Sequence, residues 1–152
     1  MTRKKALLGA ALAAVVLFAA RMLWPRPLAE AFDADQPFTV HVTDLGIRDG
    51  SAFIETGDPV AVEPGTPEAE AVKQALAGHS YHLCLDTLTG ADSLDGIGTR
   101  KIALYGQDGT ELDIFSGSTR IYCGGRYVRL DYWGDARGAA LCEELLAAVR
   151  IA

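Results

Sequence analysis

Residues 101–132 read KIALYGQDGTELDIFSGSTRIYCGGRYVRLDY, and they contain four short segments in which apolar and polar residues alternate. Alternation with a period of two predicts β-strands that are buried on one face. Gln107–Thr110 separates the first two segments and Gly124-Gly125 separates the last two, and both sequences are typical of tight hairpin turns. We therefore predict two β-hairpins, with strands at Lys101–Tyr105 and Glu111–Phe115, then at Thr119–Cys123 and Arg126–Tyr132.

The chain between residue 37 and this region supplies further elements. Alternation from Phe38 to Thr43, a turn at Asp49-Gly50 and short apolar runs predict four strands, near 38–43, 52–55, 60–62 and 81–85. Thr66-Pro67-Glu68 has the residue types that start a helix, and Gly78 those that end one. We predict a helix over 67–77 between them.

An apolar stripe that includes Leu141, Cys142 and Leu145 predicts a closing helix from about Asp135 to Val149. Two helices and eight strands in this order favour the α+β class. We expect a mainly antiparallel sheet with both helices packed on one face, forming a domain over residues 37–152.

The first 24 residues have a different composition. Three basic residues at positions 3–5 precede an uncharged apolar run from Ala6 to Ala20, which Arg21 follows. Residues 6–24 number 19 (24 − 6 + 1), and a membrane-spanning helix needs roughly 17–25. We therefore predict a signal anchor, or transmembrane helix, over residues 1–24. The residues assigned to the span are Ala6, Leu12, Val16, Phe18, Leu23 and Trp24.

The predicted location follows from this segment. Basic residues are in excess before the apolar run, which favours a cytoplasmic N-terminus and an extracytoplasmic C-terminal domain on a single-pass cell-membrane protein. Residues 25–36, which begin with Pro25, show no apolar periodicity and are interpreted as a linker. The alternative is a cleaved signal, because Ala29-Glu30-Ala31 fits the small-x-small rule and would release a secreted domain near Ala31.

Charge is divided unevenly along the chain. Residues 1–32 carry five Lys or Arg and one Glu, a net charge of +4, and residues 33–152 carry 9 basic and 19 acidic residues, a net charge of −10. An acidic domain is repelled by phosphate backbones, so we expect no nucleic-acid partner.

Metal ligands and cysteines show no spacing typical of a site. The chain has three histidines and three cysteines without a C-x-x-C pair, and its aspartate-rich loop lacks the alternating spacing of a calcium loop. We expect no metal and no cofactor. Cys84 and Cys123 both fall in predicted strands, and either a disulfide between them or free thiols is compatible with the sequence. The histidines are His41, His79 and His82, and the loop aspartates are Asp86, Asp92 and Asp95.

Signatures of catalysis are absent from the sequence. No serine lies in G-x-S-x-G and no glycine-rich loop joins a strand to a helix, so we expect no enzyme and assign no catalytic residue. The alternative is a small extracytoplasmic hydrolase that uses Asp131 with Asp135, or a histidine, as acid and base.

A candidate binding surface lies around the last hairpin. Tyrosine, tryptophan and arginine are enriched at binding hot spots, and strand alternation places several of them on the face opposite the core. We predict that a protein or small molecule at the cell surface binds there. The alternative is cross-strand pairing that only stabilises the sheet. The residues of this predicted site are Arg120, Tyr122, Tyr127, Arg129, Tyr132 and Trp133.

The layout from Phe38 to Val149 resembles the small, largely uncharacterised α+β domains that Gram-positive bacteria export and tether to the membrane. The parts that carry the resemblance are the helix at Thr66–Ala77, the hairpins from Lys101 to Tyr127 and the closing helix. Those families have no settled activity. The predicted anchor and the absence of catalytic signatures, rather than the resemblance, lead us to expect a membrane-anchored extracytoplasmic domain with a binding, sensing or accessory function and an unknown ligand.

Overall fold

A computed structural model of the protein describes residues 3–84, 87–88, 100–131 and 137–150. Within these residues the chain forms nine strands and three α-helices. The helices are α1 (Arg3–Leu23), α2 (Pro67–Ala77) and α3 (Arg137–Ala148). The strands are β1 (Arg26–Pro27), β2 (Phe38–Arg48), β3 (Ser51–Thr56), β4 (Val60–Val62), β5 (Ser80–His82), β6 (Arg100–Gly106), β7 (Glu111–Phe115), β8 (Arg120–Cys123) and β9 (Arg126–Leu130).

All nine strands belong to one antiparallel sheet, in the order β1-β5-β9-β8-β7-β6-β2-β3, and β4 pairs with the beginning of β2. The two predicted tight turns are confirmed. Asp49 and Gly50 have φ of 52° and 78°, and Gly124 and Gly125 have φ of 55° and 78°. Positive φ at both central residues is the condition for a type I′ hairpin turn.

Helices α2 and α3 pack together against one face of the sheet, as predicted, and the α+β class is confirmed. α2 begins at the expected residue because the Thr66 side chain accepts a hydrogen bond from the Ala69 N–H at 3.2 Å. The core contains alternate residues of the central strands together with the apolar stripes of both helices. Its completely buried side chains include Leu28, Val40, Val72, Leu76, Ile102, Leu104, Leu112, Ile114, Ile121, Leu141 and Leu145.

The transmembrane assignment of residues 1–24 is wrong. α1 forms over Arg3–Leu23, but within the described ranges no helix is both long and apolar enough to cross a bilayer. Lys5 and Arg21 enclose only 15 uncharged residues (20 − 6 + 1). At about 1.5 Å per residue these cover roughly 22 Å, less than the hydrocarbon thickness of about 30 Å. The correction covers all the residues assigned to the span: Ala6, Leu12, Val16, Phe18, Leu23 and Trp24.

The segment 25–36, expected to be a linker, is part of the folded core. Its first residues form β1, which pairs with β5, and the Leu28 N–H donates a hydrogen bond to the His79 carbonyl oxygen at 3.0 Å. The side chains of Leu28 and Phe32 are 0% and 2% exposed. A two-residue strand followed by a short 3-10 turn has no periodicity, so the sequence pattern does not predict this packing.

Candidate functional site

The sheet face that points away from α2 and α3 is called the open face here. Strand pairing places five of its side chains in one lateral row, which we call the tyrosine row. His41 on β2 is opposite Ala103 on β6, which is opposite Asp113 on β7. Asp113 is opposite Tyr122 on β8, and Tyr122 is opposite Tyr127 on β9. The two tyrosine rings make an edge-to-face contact, with centroids 5.3 Å apart.

A second row, the basic row, runs beside the first. Arg120 on β8 lies directly opposite Arg129 on β9, and Arg129 lies directly opposite His82 on β5. Lys101 on β6 continues the same row toward the other edge of the sheet and is opposite Phe115 on β7. Three neighbouring strands therefore present two guanidinium groups and one imidazole at the same level of the open face.

Four of the six predicted binding residues are brought together by these rows. Arg120, Tyr122, Tyr127 and Arg129 lie on one face of the β8–β9 hairpin, as their alternation in the sequence indicated. The other two, Tyr132 and Trp133, lie outside the described residues.

A buried ion pair joins the two rows and was missed at the sequence level. Lys101 Nζ lies 2.5 Å from Asp113 Oδ2, and Asp113 is only 6% exposed. Burial raises the pKa of Asp113, and the hydrogen bond and charge of Lys101 oppose this only in part. For Lys101, burial acts to lower the pKa, but the bond to Asp113 and its charge prevail, so the pKa of Lys101 is raised.

The second carboxylate oxygen of this pair is under-satisfied. Asp113 Oδ1 is buried and accepts no hydrogen bond from the described part of the chain. The pair could not be found from the sequence because Lys101 and Asp113 are diagonal neighbours, and their contact depends on the exact register of the β6–β7 hairpin.

His82 gives the basic row a neutral end at physiological pH. Its side chain is buried, and burial lowers the pKa of His82, with a further reduction from the neighbouring charge of Arg129. The histidine does not join the other two in a metal site. His41 packs edge-to-face on Tyr105 at 5.1 Å, and the described residues contain no cluster of three groups that could hold a metal ion. The loop aspartates Asp86, Asp92 and Asp95 lie outside the described residues.

A separate polar cluster surrounds His79, where β5 follows α2. His79 Nδ1 lies 2.8 Å from Asp131 Oδ2, and His79 Nε2 lies 3.6 Å from Glu144 Oε2 on α3. Asp131 Oδ1 accepts the Ser80 N–H at 2.8 Å. Burial acts to raise the pKa of Asp131, but the hydrogen bonds from Ser80 and His79 outweigh it, so the pKa is lowered.

This cluster contains one residue of the alternative hydrolase prediction. Asp131 is paired with a histidine, which resembles the base and orienting acid of a catalytic dyad. Its predicted partner Asp135 lies outside the described residues. The dyad borders a cleft of about 370 Å³ lined by residues that include Pro25 and Ala77. The nearby Ser80 hydroxyl lies 3.3 Å from Asp131 Oδ1. It therefore contacts the carboxylate rather than the imidazole, which would have to activate it as a nucleophile.

None of the three cysteines forms a disulfide, so of the two alternatives left open by the sequence, the Cys84–Cys123 bridge is excluded. Cys123 faces the core from β8, whereas Cys84 follows β5 and its sulfur lies 3.4 Å from the Thr87 hydroxyl. Burial raises the pKa of Cys123 to about 11 and that of Cys142 to about 12. These two thiols are therefore protonated and shielded, and they behave as small core residues.

Comparison of the chain with protein-family models, curated proteins and solved structures finds no match. A functional proposal for this protein therefore rests on the geometry of the open face and of the His79 cluster.

Proposed function

We propose that this protein is a non-catalytic binding domain that takes its ligand on the open face, where the basic row and the tyrosine row meet on β8 and β9. The observation that carries the proposal is the direct opposition of Arg120 and Arg129 beside the Tyr122–Tyr127 pair. Like charges directly opposite each other on neighbouring strands are destabilising. An anionic group that contacts both guanidinium groups is attracted by both positive charges, which favours a site for an anion.

The side chains indicate the ligand chemistry. Guanidinium groups bind carboxylates through charge-assisted, often bidentate hydrogen bonds. Tyrosine rings bury planar apolar groups and keep a polar hydroxyl at the rim. Because residues 33–152 carry a net charge of −10, a polyanion is repelled at longer range. The proposed ligand is a small molecule with a carboxylate next to a planar apolar group.

The N-terminal sequence supports a proposed location. Basic residues followed by an uncharged apolar segment are typical of export signals. We place the binding domain outside the cytoplasm on that support, where it has an accessory or sensing role.

The first test compares phenylacetate with its neutral analogue phenylacetamide, titrated into the full chain and followed by calorimetry. We expect phenylacetate to bind about tenfold more tightly, because only the carboxylate forms charge-assisted bonds. Arg129→Ala should remove this preference. Arg126→Ala is the matched control, since Arg126 lies three residues away on β9, at the level of the core-facing Cys123. Equal effects of the two arginine substitutions would contradict the proposal.

A hydrolase is the second candidate, favoured by the 2.8 Å contact between His79 and Asp131 beside a cleft. The position of Glu144 at the other imidazole nitrogen argues against it, since that nitrogen would have to receive a proton from a nucleophile. We expect the full chain and its His79→Gln variant to hydrolyse p-nitrophenyl acetate at the same rate. A rate in the unsubstituted protein at least a hundredfold above that of His79→Gln would favour the hydrolase instead.

A further inference from the structure

Among the residues that the structure describes, no strand pairs with the outer edge of β3. β3 has six residues and ends the sheet, pairing only with β2. The strand at the other end of the sheet order, β1, has two residues, and one of them is Pro27, which has no N–H to offer. The two ends of the sheet therefore differ, and only the β3 end provides a template for another strand.

The free hydrogen-bonding groups of β3 follow from its turn. The two-residue turn Asp49-Gly50 closes on the pair formed by Arg48 and Ser51. In an antiparallel ladder, hydrogen-bonded and non-hydrogen-bonded pairs alternate. The backbone N–H and C=O groups of three residues therefore point away from β2, and these residues are Ala52, Ile54 and Thr56.

Nothing in β3 protects this edge. Natural edge strands are protected by proline, lysine, bulges or covering segments. Residues 51–56 contain no proline or lysine, and their pairing with β2 is continuous from Thr43–Thr56 to Arg48–Ser51 without a bulge. Ile54 is 73% exposed and Ile47, on the same face of the hairpin, is 67% exposed. The hairpin thus combines a free backbone edge with apolar side chains in water.

The charges near β3 discriminate between two possible occupants of its edge, a second copy of this chain and an extended segment with basic ends. A second copy that paired antiparallel about Ile54 would bring its Asp58 next to the Asp49-Gly50 turn, and two-fold symmetry would repeat this repulsion at the other end. Glu55 adds no attraction for another copy, because it already forms an ion pair with Arg48 at 2.9 Å. An extended segment with basic ends meets Asp49 at one end and Asp58 at the other.

We propose that the free edge of β3 binds an extended peptide segment, apolar at alternate positions and basic at both ends, by strand addition. This interaction is independent of the proposed ligand site. Five strand spacings separate β3 from β9, which at about 4.8 Å each is roughly 24 Å.

The test uses the full chain and a fluorescein-labelled peptide, Lys-Lys-Val-Thr-Val-Thr-Val-Lys-Lys, with fluorescence anisotropy as the readout. We expect saturable binding, at least tenfold weaker for the same peptide with glutamate in place of lysine. Ile54→Pro removes one outward N–H and leaves the bonds to β2 in place, so it should weaken binding at least tenfold. Asp58→Asn changes no backbone group and should weaken binding of the lysine peptide about threefold.

The controls distinguish a folding defect from the loss of a contact with the peptide. Ile54→Thr keeps the outward N–H and should bind more tightly than Ile54→Pro, and circular dichroism should show the same fold for all variants. Failure of the lysine peptide to bind, or equal binding to protein with Ile54→Pro and Asp58→Asn, would overturn the proposal. An Ile54-dependent dimer in sedimentation velocity would also overturn it, since the occupant would then be a second copy.

Discussion

Asp131 shows how one side chain can hold three elements together. It has φ of 49°, a conformation that Asn and Asp tolerate better than other residues, and its two oxygens bind the Ser80 backbone and His79. His79 in turn faces Glu144 on α3. We interpret this cluster as a clamp between strands β5 and β9 and helix α3, since both carboxylate oxygens contact polar groups of the protein.

The clamp predicts a pH dependence of stability. Because the pKa of Asp131 is lowered in the folded protein, its carboxylate contributes stability above the unfolded pKa of about 3.9, and that contribution is lost as the pH falls through the lower folded pKa. Asp131→Asn keeps the tolerated backbone conformation and removes the charge. We expect it to cost about 1 kcal/mol at pH 7 and to flatten the dependence of unfolding free energy on pH below 4.

Urea unfolding at several pH values measures this effect. Glu143→Gln is a suitable control, because Glu143 is an exposed acid of α3 outside the clamp. An unchanged pH slope in Asp131→Asn would show that the carboxylate is not coupled to folding.

At the scale of elements, the sequence predicted those features whose causes are local. The cap at Thr66, the turns at Asp49-Gly50 and Gly124-Gly125, and the alternation of β6 to β9 each depend on residues close in the chain. The ion pair of Lys101 with Asp113 and the pairing of β1 with β5 depend on register between distant segments, which no local pattern encodes.

The packing of Leu28 and Phe32 leads to a prediction about truncation. A chain starting at Phe32 lacks β1 and Leu28, whereas a chain starting at Trp24 keeps both. Losing a fully buried leucine usually costs about 2–5 kcal/mol. We expect the chain that starts at Trp24 to unfold cooperatively on heating, and the chain that starts at Phe32 to melt at least 10 °C lower or not to fold.

Calorimetry of the two truncated chains is the measurement. Leu28→Ala in the longer chain is the control that isolates the core contact from the β1 pairing. Equal melting temperatures of the two truncated chains would mean that residues 24–31 are dispensable, as expected of the linker that the sequence suggested.

At the scale of the whole molecule, the two sheet faces differ in composition. One face is closed by α2 and α3 around the core, and the other presents the tyrosine and basic rows. The buried pair of Lys101 and Asp113 lies between these rows and fixes side chains in the middle of the open face. Such a pair adds little net stability relative to well-packed apolar residues of similar volume.

The most direct test of the open face as the binding site is the map of backbone amide shifts when phenylacetate is added to the isotope-labelled full chain. We predict that the largest shifts fall on Arg120–Cys123 and Arg126–Leu130, and that they disappear in Arg129→Ala and persist in Arg126→Ala. Shifts confined to the cleft beside His79, or no saturable shifts at all, would contradict it.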